Sequence, residues 1–352
     1  MITVEPLPAF EGDCILVNLD GSFILIDSGT KETYALSLKD RLHELSNQKK
    51  VIDLAVLTHI DKDHIGGFLS LLSDKEANIQ IREFWYNTFK PLSTPIESHV
   101  SRRGQRIIFS ENRAVSDAMD LTKLLNNKKI PWNISFEDKV VEQTLYKSVM
   151  IGNANIWIVN PDKDKLQKMS KEWLRQTGNL RHANPQGEEL FRISLEDDEN
   201  KSYDELTKLK PEIISSPTNE SSIAIIIEYE GKTLLFTGDA SQKALIYALE
   251  EWCRINQRPQ SFDLVKVPHH ASYRSTNFEF YEKFKASNFI ISTNGIKHNH
   301  PSVAVLAQII KNNPGCNIVF NYKDNRGCKY YSNRKKIPPD IKYQILLDKV
   351  EL

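Results

Sequence analysis

The stretch Thr58-His59-Ile60-Asp61-Lys62-Asp63-His64-Ile65-Gly66-Gly67 decides how this chain is read. His59, Asp61, Asp63 and His64 fall within six residues. Imidazole nitrogens and carboxylate oxygens both bind divalent cations. The run directly follows an apolar strand pattern at 52–57 (IDLAVL), and a helix is predicted from near Asp63 through Leu72. A loop at a strand end can aim several ligands at one point, and Gly66-Gly67 lets backbone come close. A charged, solvated turn seldom holds two His and two Asp at this density.

Three downstream stretches repeat the pattern of polar residues at strand ends. Leu235-Phe236-Thr237-Gly238-Asp239-Ala240 places Asp239 after an apolar strand and before a helix. Alone it reads equally well as a helix N-cap; beside the first motif it becomes a bridging carboxylate. Lys266-Val267-Pro268-His269-His270-Ala271-Ser272 sets two adjacent His after another strand. Adjacent side chains diverge, so one ring is expected to face a metal and the other to hydrogen-bond or act on substrate. Asn294-Gly295-Ile296-Lys297-His298-Asn299-His300-Pro301-Ser302 puts His300 just ahead of a helix that Ser302 can cap.

Around these motifs, strands are predicted at 2–7, 13–19 and 22–27, with Gly21 at a turn, then a helix at 34–47. A helix at 112–127 and a strand at 154–159 follow. Residues 162–212 carry about two charges in every five residues and few β-branched ones, which reads as a solvated helical insertion or cap rather than core. A hairpin at 222–229 and 232–237 turns on Glu230-Gly231. Helices at 241–254, 277–286 and 302–311 then alternate with strands at 263–267, 288–292 and 317–321. Mixed strands and helices throughout predict an α/β layered fold.

Composition narrows the function. The chain has 352 residues, with 46 Lys+Arg against 46 Asp+Glu, which argues against a protein that coats nucleic acid. The cysteines, Cys14, Cys253, Cys316 and Cys328, form no CxxC pair, so neither a cysteine zinc cage nor a disulfide scaffold is expected. No apolar run is long enough to span a bilayer. The first residues, Met1-Ile2-Thr3-Val4-Glu5-Pro6, lack the basic and apolar regions of a signal peptide, so no membrane partner and a cytoplasmic location are expected. Arg102-Arg103-Gly104-Gln105-Arg106 and a tail with Lys323, Arg326, Lys329, Arg334, Lys335 and Lys336 are local basic clusters. Tyr322, Tyr330 and Tyr331 are interleaved in that tail, a pattern that can stack on bases or simply be a solvated lysine-rich face.

Taken together the motifs resemble the metallo-β-lactamase fold superfamily, and within it the branch containing the soluble domain of the ComEC competence protein. That branch has His-x-Asp-x-Asp-His-x-Gly-Gly, then Thr-Gly-Asp, Pro-His-His-Gly-Ser and Gly-His-Pro-Ser. Here these are similar to 59–67, Thr237-Gly238-Asp239, Pro268-His269-His270-Ala271-Ser272 and Asn299-His300-Pro301-Ser302. Glu11-Gly12-Asp13-Cys14-Ile15-Leu16 and Ile26-Asp27-Ser28-Gly29 also look like the branch's N-terminus. The departures are Ala271 and Asn299 in place of Gly, Glu11 in place of Gln, and the charged segment at about 160–215.

The resemblance implies a four-layer αββα sandwich formed by a single domain, 1–352, with 160–215 inserted. It implies two divalent metal ions, zinc or manganese. His59 and Asp61 would bind the first, and Asp63, His64 and His270 (or its neighbour His269) the second, with Asp239 bridging. Asn219 stands where a usual histidine is missing; His99 and His182 are weaker candidates for that place. Asp13 and Asp27 would orient the ligands. Asp63, His269 and His300 are the candidate catalytic residues. The implied activity is a phosphodiesterase or nuclease using a metal-activated hydroxide. A hydrolase of another ester, amide or lactone, and a metal-binding protein that docks a protein partner through 160–215, are the alternatives.

Overall fold

The computed structural model describes residues 1–88, 113–176, 198–211 and 213–352. Its strands form two sheets. The first is built from β1 (Ile2–Pro6), β2 (Ile15–Leu19), β3 (Ser22–Ile26), β4 (Leu54–Val56), β5 (Phe84–Trp85) and β14 (Val350–Glu351), in the order β14-β1-β2-β3-β4-β5. The second holds β6 (Thr144–Ile151), β7 (Ala154–Asn160), β8 (Ala224–Tyr229), β9 (Lys232–Phe236), β10 (Ser261–Lys266), β11 (Lys285–Ile291), β12 (Asn317–Phe320) and β13 (Gln344–Leu347), each beside the next.

The strand sequences explain the layering. In a strand, successive side chains point to opposite faces, so a continuous apolar run means that both faces are covered. In β3, Ile24 and Ile26 face the other sheet, while Phe23 and Leu25 face helices. In β8, Ile225 and Ile227 face inward, while Ala224 and Ile226 pack beneath helices. The helices Lys39–Asn47, Lys62–Ser73 and Arg113–Asn127 cover the first sheet; Gln242–Asn256 and Val303–Asn312 cover the second. The result is a helix–sheet–sheet–helix stack, the predicted fold class.

The charged segment is helical over Lys163–Gln176, but several of its described apolar residues are core. Leu166, Met169 and Trp173 are buried, and Met169 and Trp173 join the helical layer of the first sheet. Tyr203 and Leu206 likewise pack into the second sheet's outer core. Apolar side chains this sparse are masked by the surrounding charge in any composition average.

Other differences are at edges. The predicted helix at 34–47 begins earlier, at Lys31, and runs through a π-helical turn at Tyr34–Leu38. The 277–286 helix is only Glu279–Lys283, because β11 begins at Lys285. Strands β5, β6, β13 and β14 and the helix Arg326–Ser332 were not legible. β6 is an edge strand with a register shift, so its alternation is broken.

Strand direction positions the site. β3 runs parallel to β4, and β9, β10, β11 and β12 run parallel to one another, so their C-terminal ends gather at one rim. Loops at such carboxyl ends are where α/β sheets place ligands. β2 is antiparallel to β3, so its beginning, and with it Asp13, lies at the same rim.

Candidate metal centre

The first motif leaves β4 and enters the helix Lys62–Ser73. Its glycines permit contacts that no other residue allows. A Cβ on Gly67 would lie 2.0 Å from the Ser28 carbonyl oxygen, and one on Gly66 would lie 2.4 Å from the Lys31 nitrogen. The loop after β3 therefore seats directly on the helix. Ser28 donates from N (3.0 Å) and Oγ (2.8 Å) to the His64 carbonyl, and Phe68 N donates to Ser28 Oγ at 2.7 Å.

That seating brings Asp27 behind the histidines. His64 Nδ1 lies 2.8 Å from Asp27 Oδ2. Thr58 donates to the same carboxylate from N (2.7 Å) and from Oγ1 (2.8 Å). With its proton so engaged, Thr58 Oγ1 accepts from His59 Nδ1 at 3.0 Å. On the opposite wall, His270 Nδ1 donates to the Ser292 carbonyl at 2.8 Å. Each ring is thus held by Nδ1, which fixes the tautomer and turns Nε2 towards the centre.

The three Nε2 atoms of His59, His64 and His270 are buried with no hydrogen-bond partner. All three point at Asp239 Oδ2, at 3.9, 3.5 and 3.5 Å. His269 Nε2 is 3.7 Å from the same oxygen. Asp61 Oδ2 lies 3.7 Å from His59 Nε2, and Asp63 Oδ2 lies 3.7 Å from His270 Nε2. Asp61, Asp63 and His269 are the partly exposed members, so the centre opens on their side. Leaving several buried ring nitrogens unpaired costs about 1–3 kcal/mol each. Imidazole lone pairs and carboxylates around one point are the donor set of a divalent cation, and the residues fit one.

Ligand-capable atoms of Asp13, His64, Asp239 and His270, all buried, lie within 4.8 Å of one another. Asp13 approaches the rings from the Nδ1 side: 3.4 Å from His270 Nδ1 and 4.0 Å from His64 Nδ1. Lys266, also fully buried, forms an ion pair with Asp13, lies 3.6 Å from Asp239 Oδ1 and donates to the Gly238 carbonyl at 3.0 Å.

Charges follow from this crowding. Burial alone would depress the His270 imidazole, but Asp239 and Asp13 outweigh it and push it up to about 10. His64 is raised in the same way, with burial opposed by Asp239, Asp27 and Asp63. Burial opposes ionisation of Asp239, yet the surrounding His270, His64 and His269 hold it well below the usual carboxylate range. His269 goes the other way: burial dominates and lowers it to about 4. His300 is lowered by burial and by the neighbouring His269 and His270. Its ring centroid is 5.6 Å from His269 and 6.5 Å from His270.

One expectation is corrected. Adjacent histidines do not diverge here. His269, His270 and Ala271 all have left-handed backbone (φ 47°, 52° and 61°), which turns both rings towards Asp239. Asn219 lies at the edge of the centre: its Oδ1 accepts from Ser216 Oγ at 2.9 Å, and its Nδ2 faces His269 Nε2 at 3.5 Å. His99, His182 and the arginines at 102–106 lie outside the described residues. Tyr330 and Tyr331 of the tail are not free to stack on bases. Both are buried, Tyr322 Oη accepts from Phe10 N at 2.9 Å, and Lys336 lies over the Tyr330 ring. The sequence reading missed Lys266, although a lysine within the apolar run 263–267 (DLVKV) was a visible signal.

Residues 7–85 match the family model of the metallo-beta-lactamase superfamily. The match spans β2 to β5 and includes the first motif. No curated protein sequence matches the chain. Among solved structures it is similar to the metallo-beta-lactamase fold protein YhfI from Bacillus subtilis, at 11% identity and TM-score 0.39, covering 99% of this chain and 98% of that one. It is similar to Zn(2+)-bound PqqB from Methylobacterium extorquens, at 11% identity and TM-score 0.41, covering 100% of both. It is also similar to a diphosphatase of the PhnP family, at 10% identity and TM-score 0.37, covering 100% of this chain and 98% of that one. Among the described residues no helix is long and apolar enough to cross a membrane.

Proposed function

We propose that this chain is a two-metal hydrolase of phosphodiesters. The observation that carries the reading is the set of orphaned imidazole Nε2 atoms converging on Asp239, each with its Nδ1 already engaged. His59, Asp61 and His269 would hold one ion, and Asp63, His64 and His270 the other, with Asp239 between them. Charge suits divalent ions: Asp13, Asp61, Asp63 and Asp239 crowd around rings that must be unprotonated to bind metal, with Lys266 as the buried lysine beside them. The oxygen-rich first motif suits manganese as well as zinc. The order of motifs, like that of the ComEC-related branch, favours a phosphodiester over another ester, an amide or a lactone.

Bound metals supply Lewis acidity and a nucleophile from water near neutral pH. The protein's own groups do the rest. Asp27 and Ser292 hold His64 and His270 by Nδ1, so both rings present Nε2 without reorganisation. Lys266 neutralises Asp13 and keeps the Asp239 carboxylate in place. His300, kept unprotonated by burial and by the neighbouring His269 and His270, stands beside the ligand rings, where its ring N–H would donate a hydrogen bond to a substrate oxygen.

The test is turnover of bis-p-nitrophenyl phosphate by protein stripped with chelator and reloaded with manganese or zinc. Two ions per chain and metal-dependent turnover, lost in Asp63→Ala, are expected. Two bound ions with turnover of carboxylic esters or lactones only would reassign the substrate class. Tight metal with no turnover of either would favour the partner-dependent reading.

A further inference from the structure

The loop that carries His300 is held by residues distant in sequence. His298 and Asn299 have left-handed backbone (φ 60° and 52°), a conformation uncommon for non-glycine residues, though Asn and His adopt it more readily than most. Three contacts constrain it. Arg326 Nη1 donates to the Asn299 carbonyl at 3.0 Å. Ser302 N donates to the Ala271 carbonyl at 3.0 Å, tying the loop to the His269-His270 turn. Ser302 Oγ donates to Asp198 Oδ2 at 2.6 Å.

Asp198 joins these pieces. It comes from the charged segment, yet it is fully buried at the start of the helix Val303–Asn312. Its Oδ1 accepts from Arg326 Nη2 at 2.5 Å, and its Oδ2 also lies 3.4 Å from Ala304 N. One carboxylate thus grips the residue two places after His300, and through Arg326 it steadies the carbonyl just before His300. Neighbouring groups anchor the segment: Tyr330 Oη donates to the Lys201 carbonyl at 2.8 Å, and Lys336 Nζ to the Glu199 carbonyl at 3.2 Å.

We propose that Asp198, with Arg326, is a positioning residue for His300: a buried carboxylate of the charged segment sets where that imidazole stands over the metal-binding turn. The inference rests on the hydrolase reading for its effect on turnover, but not for its effect on His300. Removing the carboxylate that holds Ser302, two residues after the imidazole, lets the ring wander, and misplacement of about an ångström costs roughly 10–100-fold in rate.

Two readouts test it on full-length protein. The first is the ring 13Cε1 resonance of His300 in histidine-labelled protein, assigned with His300→Ala, with the exposed His43 as internal reference. In both Asp198→Ala and the milder Ser302→Ala, the His300 signal should shift or broaden while His43 stays. The second is bis-p-nitrophenyl phosphate turnover with the metal content measured. Asp198→Ala should lose kcat with KM and bound metal unchanged. The double variant with His300→Ala should be no worse than His300→Ala alone, within about twofold. An unmoved His300 resonance in Ser302→Ala and in any folded Asp198 variant overturns the proposal, whatever the turnover. So do multiplicative losses in the double variant. A displaced His300 in a protein that turns over no phosphodiester supports the positioning role and rejects the phosphodiesterase reading instead.

Discussion

The two walls of the centre reach the same end by opposite means. The wall from β4 gathers His59, Asp61, Asp63 and His64 by spacing along one loop and helix start, and uses glycines to bring backbone against backbone. The wall after β10 has no glycine at its turn. It sets His269 and His270 together by forcing three successive non-glycine residues into left-handed backbone, each at a cost of about 1–2 kcal/mol. The first wall is packed; the second is strained and tied down by His270 Nδ1 on Ser292 and Ser272 N on His269. Ligand geometry can therefore come from sequence spacing or from backbone strain, and only the first is visible before folding.

Asp239 stands between the walls, so removing it should have the largest effect. Asp239→Ala takes away the carboxylate that four imidazoles face. Breaking a buried charge pair in this way costs about 3–5 kcal/mol. Bound metal should fall below one ion per chain, and turnover should fall by roughly three orders of magnitude or more. Elemental analysis and thermal melting of the chelated protein read the two effects separately. A variant that still binds two ions would mean that the walls hold metal independently.

The packed wall should be the less tolerant of added volume. Gly67→Ala drives a methyl into the Ser28 carbonyl, where backbone cannot yield without moving Asp27 off His64. A loss of about 3 kcal/mol or more is expected from overpacking plus the broken network, measured by urea unfolding of the chelated protein. Near-wild-type stability would show that this wall has slack.

These glycines also mark how far the sequence could be read. The first motif, Asp239 at its strand end and the apolar strands of both sheets were legible because their signals are local: ligand spacing, apolar runs, a strand followed by a helix. The rim that unites them follows from the parallel pairing of strands, which the structure supplies. What was not legible depends on backbone torsion or on partners distant in sequence. The convergence of His269 and His270, the hydrogen bond from Ser216 to Asn219, and the burial of Trp173 within a charged stretch are of this kind. The two positions where the resembling branch has glycine, Ala271 and Asn299, are both left-handed, which gives those departures a conformational meaning.

Between the walls, pH acts on metal-free protein in a defined direction. His270 is raised to about 10 from an ordinary value near 6.5 by Asp239 and Asp13, against the opposing effect of burial. Its stabilising contribution is therefore fully present below about pH 6.5 and is lost as pH rises through about 10. A metal needs the ring unprotonated, so metal uptake must release protons and strengthen over that range. The melting temperature of the chelated protein should fall between those limits, while the gap between loaded and chelated protein widens. A gap that narrows with pH would mean that His270 is not a ligand.

The smallest effect is expected at Ala271, and it decides whether the second wall is strained or packed. Ala271→Gly relieves the left-handed penalty of about 1–2 kcal/mol. Against this stand the loss of a buried methyl, about 0.8 kcal/mol, and the greater freedom of glycine in the unfolded chain, about 0.5–1 kcal/mol. These nearly cancel, so stability should stay within about 1 kcal/mol of the parent by urea unfolding, with two ions still bound. The same glycine-for-alanine exchange run in reverse at Gly67 is expected to be several times more damaging, although both positions flank ligands of one centre. Should Ala271→Gly instead cost as much as Gly67→Ala, the Ala271 methyl would be a packing element, and the two walls would be built alike. Should it leave stability intact but release an ion, the strain itself would be what holds His269 and His270 on Asp239.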